Sequence, residues 1–350
     1  MRVTLRLSEL APLFGGDLGD EFLLVTSPRI RPVLDVEAGG LPRVIELSWS
    51  GPASRSALVE YLAEASRRGR RSSVLWVVDD EFEHYHPDEL AGAKLAAIPY
   101  FSSPFEPASL ARSLEIVRLT DYGRQLAIED RFLDLLDASR SMTFKSPRYG
   151  TAATLEHRRA EHWFSLHGPL EFGQQSVLPT GQMSMLCDPS GSYSFESRFR
   201  LNGRLVLRGE DVVHRGGREI SAAEVAHEIE VMGLMRHYAV IAEVEDGMIV
   251  GIESPEPGEN PLRDVIGALF DRDVRYRKVH EIGFGTNPLC TPLLPANFFP
   301  NYRHPSVIFG LGLGGFTRFH HDLVCPENEV YCDLESGGSV RLYDHLLGLD

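Results

Sequence analysis

Glu281-Ile282-Gly283-Phe284-Gly285-Thr286-Asn287-Pro288 is the most informative stretch of this 350-residue chain. One carboxylate is followed by small and turn-forming residues, a pattern that fits a chain reversal at a site. Working outward, Leu178-Pro179-Thr180-Gly181-Gln182 lies upstream, and Thr317-Arg318-Phe319-His320-His321-Asp322-Leu323-Val324 lies downstream. If the downstream segment is a strand, His320 and Asp322 share one face and His321 points to the other. An imidazole and a carboxylate on one face suit a shared metal ion.

The sequence around these segments has the texture of hairpins. Asn202-Gly203 divides residues 195–201 from 204–207, and Asp246-Gly247 divides 239–244 from 248–252. Both dipeptides accept the left-handed conformation of a two-residue turn. Ser221-Ala222-Ala223-Glu224 opens a helix as a capping box, and Asn260-Pro261 opens another with a cap and an N1 proline. Residues 139–350 therefore predict an antiparallel-rich α+β domain. Residues 1–138 predict an α/β domain. Val3, Leu5 and Leu7 alternate, strands are expected at 44–49, 74–78 and 114–119, and a helix at 52–67. A helix over 121–138 should turn Leu126, Phe132, Leu133 and Leu136 inward. No glycine-rich turn follows a strand, so a nucleotide fingerprint is absent.

Composition narrows the function classes. The formal net charge of −15 disfavours nucleic acid as a partner, because phosphates demand a basic face. The four cysteines form no Cys-x-x-Cys pair, so a structural zinc knuckle is not expected and the thiols should be reduced and largely buried. The N-terminus lacks a signal-peptide pattern, and no apolar run approaches the roughly 18 residues that span a bilayer. A cytoplasmic protein without membrane association is the expectation.

In order and context, the three segments resemble the aminopeptidase T and aminopeptidase S metallopeptidases. That family carries Leu-Pro-x-Gly-Glu, then Glu-Leu-Gly-Ile-Gly-x-Asn-Pro, then a histidine in a glycine-rich strand, then Ser-x-x-His-x-Asp. Thr143-Phe144, Gly150-Thr151 and the Asp246-Gly247 hairpin add to the likeness, which covers roughly residues 130–330. A ring-opening hydroxypyridine dioxygenase with mononuclear iron is similar in fold. The resemblance implies a C-terminal domain of aminopeptidase T type, a dimer, and a dinuclear metal site. Glu281, His320 and Asp322 match its ligands. Gln182 stands where a bridging glutamate is expected, and Ile308, in Val307-Ile308-Phe309-Gly310-Leu311-Gly312, stands where a histidine is expected. No tyrosine occurs in 311–316, where the family has a catalytic one.

Two hydrolytic metals need several shared ligands, and only three remain. The pattern of loss implies a pseudoenzyme whose cleft, lined by Gln182, Glu281, Ile308, Arg318, His320 and Asp322, binds a peptide without cofactor. It also resembles peptide-binding partners in the biosynthesis of ribosomally made, post-translationally modified peptides of the crocagin type. A precursor peptide and a modifying enzyme would then be the partners, with a homodimer or a heterodimer with a relative as the assembly. The alternative is a mononuclear metal-dependent enzyme, a hydrolase or ring-opening dioxygenase, with one zinc or iron ion on Glu281, His320 and Asp322. A two-histidine-one-carboxylate set lacks a histidine, unless His304 or His321 supplies it. Simpler readings stand beside these. His320 and Asp322 form a structural pair, Glu281 caps a turn, residues 79–86 with His84 and His86 form a solvated acidic loop, and the arginines at 67–71 end a helix in water. The aromatic segment 297–302 reads as a loop anchor or a binding loop.

Overall fold

The computed structural model describes all residues except 42, 80, 81, 83, 101–104, 158–161, 189–191, 218, 291–303, 314 and 350. It divides into two units. The first comprises Met1–Leu126 and Leu166–Gly181, the second Ala127–Ser165 and Gln182–Asp350. The division thus differs from a single cut near residue 138, since a later segment returns to the first unit.

In the first unit, strands β1 (Val3–Arg6) and β3 (Leu34–Glu37) pair in parallel. Strands β2 (Glu21–Thr26), β4 (Val44–Ser48), β5 (Ser72–Val78), β6 (Lys94–Pro99) and β10 (Gln175–Val177) form a parallel sheet in the order β10-β6-β5-β2-β4. Alternate residues face two separate cores. Leu24, Leu75, Val77, Ala96 and Ile98 join one, and Leu23, Val25, Val74, Trp76 and Ala97 join the other. Burial on both faces explains the uninterrupted apolar run at β5. Helix α1 (Pro52–Arg67) lies where expected, and α2 (Pro87–Leu90) is a short turn capped by His86.

Residues 114–119, expected as a strand, instead form the end of helix α3 (Pro107–Leu119). Leu110, Leu114 and Val117 recur at helical spacing on the buried side, and Pro107 starts the helix at N1. Helix α4 (Tyr122–Ala138) is present, but its inward stripe is rotated. Leu126 and Leu133 are 38% and 45% exposed, while Ile128, Phe132, Leu135 and Leu136 are buried.

The second unit is a sandwich of two antiparallel sheets. Seven strands form one of them. These are β7 (Ser139–Ser146), β8 (Thr151–Leu155), β12 (Leu201–Leu207), β14 (Val240–Glu245), β15 (Met248–Glu253), β19 (Glu329–Leu334) and β20 (Ser339–Arg341). Six strands form the other. These are β9 (His162–Leu166), β11 (Gln182–Leu186), β13 (Glu210–Arg215), β16 (Val279–Gly285), β17 (Val307–Leu311) and β18 (Phe319–Cys325), ordered β13-β18-β17-β16-β11-β9. The core between the sheets takes Met142, Phe144, Leu205 and Ala242 from the first, and Met183, Met185, Ile282, Phe284, Phe309 and Leu323 from the second.

Two glycine-bearing turns were expected, and only one forms. Asp246 and Gly247, with φ of 43° and 75°, make the β14–β15 turn. Asn202-Gly203 instead lies inside β12. A Cβ on Gly203 would sit 2.5 Å from the Ala152 carbonyl oxygen, so this glycine serves close strand approach rather than reversal. Helices α5 (Ala222–Met232) and α6 (Pro261–Arg272) begin at the expected caps, Ser221 and Asn260, and α7 (Leu342–Leu347) lies near the C-terminal end. Among the described residues no helix is long and apolar enough to cross a membrane.

Candidate functional site

Strand alternation sorts the six-stranded sheet into a core face and an outer face. Met183, Ile282, Phe284, Phe309 and Leu323 take the inner side. Their neighbours Gln182, Ser184, Glu281, Ile308, His320 and Asp322 therefore share the outer side. The register aligns them across the strands. Ser184 is opposite Gly283, Glu281 opposite Gly310, Gly310 opposite Asp322, and His320 opposite His214. Gly283 and Gly285 lie within β16 rather than in a reversal, which corrects the expectation for this stretch. Small residues are needed here because larger ones would fill the site. A Cβ on Gly310 would lie 2.7 Å from the Cβ of Glu281 and 3.0 Å from Cε1 of His320.

The cluster is tight. His320 Nε2 lies 2.9 Å from Asp322 Oδ1 and 3.7 Å from Glu281 Oε2. On its other side, His320 Nδ1–H donates to the Gly312 carbonyl at 2.7 Å, which directs the Nε2 edge at the two carboxylates. Gln182 Nε2 donates to Glu281 Oε1 at 3.0 Å and to Ser184 Oγ at 2.5 Å. Gln182 Oε1 is buried with no hydrogen-bond partner among the described residues. His214, from edge strand β13, donates through Nε2 to Asp322 Oδ2 at 3.0 Å. No sequence motif points to His214, which reaches Asp322 only through the β13–β18 pairing.

Electrostatics follow from this crowding. Burial would push the His320 imidazole down, but the charge of Asp322, the hydrogen bond His320 donates to it and the charge of Glu281 bring it up to about 9. Burial and then the Asp322 charge push the Glu281 carboxyl upward. For Asp322 burial acts in the same upward direction, yet His320 and His214 outweigh it and hold the carboxyl well below its ordinary range. The metal-free cluster thus holds a proton on the imidazole between two carboxyls.

Other expected residues lie elsewhere. Arg318 is paired with Glu224 at the surface. Ile308 is fully buried and packs with Val212 and Val324 on the outer face. His321 turns to the opposite side, as expected, where its Nδ1 binds Asp211 Oδ2 at 2.6 Å. His304 donates to the Gly285 carbonyl and packs edge-on against Tyr343. His84 packs against Phe82 while His86 caps α2, so these two histidines have separate roles; Asp80, Glu81 and Glu83 lie outside the described residues. So does the aromatic segment 297–302. Arg67, Arg70 and Arg71 pair with Glu64, Glu21 and Asp17. The four cysteines are free thiols.

Glu281, His320 and Asp322 offer one oxygen, one nitrogen and one oxygen, all within 4.8 Å of each other. Three protein ligands with a further position for water or substrate is a common catalytic arrangement. The residues fit one ion.

No family model and no curated protein matches this chain. Among solved structures, AmpT from Thermus thermophilus is similar with a TM-score of 0.47 and 16% identity, over 96% of this chain and 97% of that one. The 2,5-dihydroxypyridine dioxygenase from Pseudomonas putida KT2440 is similar with a TM-score of 0.53 and 16% identity, over 93% of this chain and 92% of that one. The chain therefore shares its fold, along nearly its whole length, with that dioxygenase.

Proposed function

We propose that this chain is a metal-dependent enzyme that holds one divalent transition-metal ion on Glu281, His320 and Asp322. The observation that carries this reading is the orientation of His320. Its Nδ1–H is tied to the Gly312 carbonyl, and its Nε2 edge faces two carboxylates at 2.9 and 3.7 Å. Ligating histidines are usually fixed this way through their outer nitrogen. His214 supports the reading by orienting Asp322 through the second carboxylate oxygen. When bound, the ion would supply Lewis acidity to water or a site for dioxygen. Without the ion, burial and the Asp322 charge bias the Glu281 carboxyl toward its protonated form, so binding would release that proton as the carboxylate ligates. Gln182 fixes one Glu281 oxygen and presents its own Oε1 as a neutral acceptor. The likeness to the dioxygenase supports an enzyme on this scaffold only as an analogy of fold.

Elemental analysis of protein purified without chelator tests the proposal. At least one equivalent of zinc or iron is expected, and His320→Ala should lose one equivalent. Unaltered, folded protein that takes up neither zinc nor, under anaerobic conditions, ferrous iron would overturn it.

One observation favours a second reading. Gln182 and the buried Ile308 occupy positions where the family resemblance calls for ligands, which supports a cleft that binds a peptide without chemistry, as a partner of a modifying enzyme and as a homodimer or heterodimer. Tight binding of a peptide by metal-stripped protein, unaffected by His320→Ala, would favour it over the enzyme.

A further inference from the structure

A second donor cluster lies beside the first, on the other side of a bulge. The register of β16 against β17 shifts between Val279 and Glu281, leaving His280 as an extra residue. A bulge re-aims the side chain it adds. His280 is fully buried, and its Nδ1 lies 3.7 Å from Cys187 Sγ and 3.5 Å from Asp188 Oδ2. Cys187 Sγ is 3.8 Å from the same Asp188 oxygen. His280 Nε2 has no hydrogen-bond partner among the described residues, so its polar contacts run through the cluster.

These three distances define a nearly equilateral triangle of sulfur, nitrogen and oxygen. The point equidistant from the three atoms lies about 2.1 Å from each, close to ordinary zinc–nitrogen and zinc–oxygen lengths and slightly short of zinc–sulfur. The cluster is already built to hold positive charge. Lys278, fully buried, donates from Nζ to Asp188 Oδ2 and to the Ser194 carbonyl, both at 2.5 Å, and lies 4.6 Å over the Tyr193 ring. A buried ammonium group thus sits against the Asp188 corner of the triangle.

We propose that Cys187, Asp188 and His280 form a second, thiolate-containing site for a zinc-like divalent ion. One divalent cation enters, and the Cys187 thiol gives up its proton to solvent as the thiolate ligates. The thiolate and the Asp188 carboxylate together offset the two charges of the ion. The mixed sulfur and nitrogen donors select borderline-soft ions over magnesium or calcium.

Cobalt(II) separates this site from the first, which contains no sulfur. At saturation it should give a near-ultraviolet sulfur-to-cobalt charge-transfer band in the unaltered protein and in His320→Ala. The band should be absent in Cys187→Ser. A second measurement needs no variant. Stoichiometric zinc should slow alkylation of Cys187, mapped by mass spectrometry, by roughly tenfold or more, because the metal-bound thiolate is withdrawn from attack. No band in the unaltered protein, a band that survives Cys187→Ser, or Cys187 alkylation unchanged by zinc would each overturn the proposal. Loss of metal from Glu281, His320 and Asp322 alone would leave the cobalt band in place, so the two sites fail independently.

Discussion

At the scale of single residues, the proposed centre assigns ligation to His320, Glu281 and Asp322, with His214 and Gln182 hydrogen-bonded to its two carboxyls. Removing His214 leaves Asp322 without the hydrogen bond at its Oδ2. Loss of such a supporting contact costs about 10–100-fold in metal affinity. His214→Ala should therefore weaken zinc binding at this site by about that factor, measured against a competing chelator in a Cys187→Ser background, while His320→Ala should abolish it there. Equal affinity in His214→Ala and the unaltered protein would remove His214 from the site. His280 gives a prediction in pH. Burial, then the charges of His320 and Lys278, push its imidazole down to about 4. An unfolded chain binds a proton on histidine near 6.5. Between these values the unfolded state holds more protons, so the stability this residue contributes rises with pH and is lost as pH falls through the window. The full span corresponds to on the order of 3 kcal/mol. In metal-stripped protein, the stability difference between the unaltered chain and His280→Asn should grow from pH 4 to 6.5 by that order and then level off. Urea unfolding at several pH values measures it, and a constant difference would count against a buried neutral imidazole.

At the scale of elements, each strand of the six-stranded sheet separates stability from chemistry by alternation. Neighbours on β17 make this testable. Phe309 faces the core, beside Phe144, so Phe309→Ala should cost about 3–5 kcal/mol while the folded fraction still binds metal. Gly310 faces the site, and Gly310→Ala would force a methyl to within 2.7 Å of the Glu281 Cβ. Metal binding should be lost there while the core contacts of Phe309 remain. Thermal unfolding and metal titration of the two variants should move in opposite senses; parallel losses would show that the faces are not separable. Alternation is also what made much of this legible. His320 and Asp322 could be assigned to one face, and His321 to the other, from their spacing. Asp246-Gly247 was legible as a turn because its φ preferences are local. Asn202-Gly203 carried the same local preference, but three-strand packing around Gly203 overrode it. Residues 114–119 alternated well enough to read as a strand, although Pro107 and Leu110 upstream continue a helical repeat. His214 was illegible, because its role exists only through a partner strand 108 residues away.

At the scale of the whole molecule, the two units have separate hydrophobic cores. Separate cores can melt separately. Both proposed metal sites lie in the second unit. Calorimetry should therefore resolve two transitions, and zinc should raise only the one that belongs to the second unit. At a free concentration 100 times the dissociation constant, one bound ion adds about 2.7 kcal/mol. An equal shift of both transitions, or of neither, would contradict this assignment. The order of strands in the six-stranded sheet carries a consequence for synthesis. β13 is an edge strand whose hydrogen-bonded neighbour is β18 alone, and β18 is the last strand of the sheet to leave the ribosome. A nascent chain that ends before residue 319 has made His214 and Glu281 but has nothing to bring them together. The proposed centre on Glu281, His320 and Asp322 can therefore assemble only once β18 has been made.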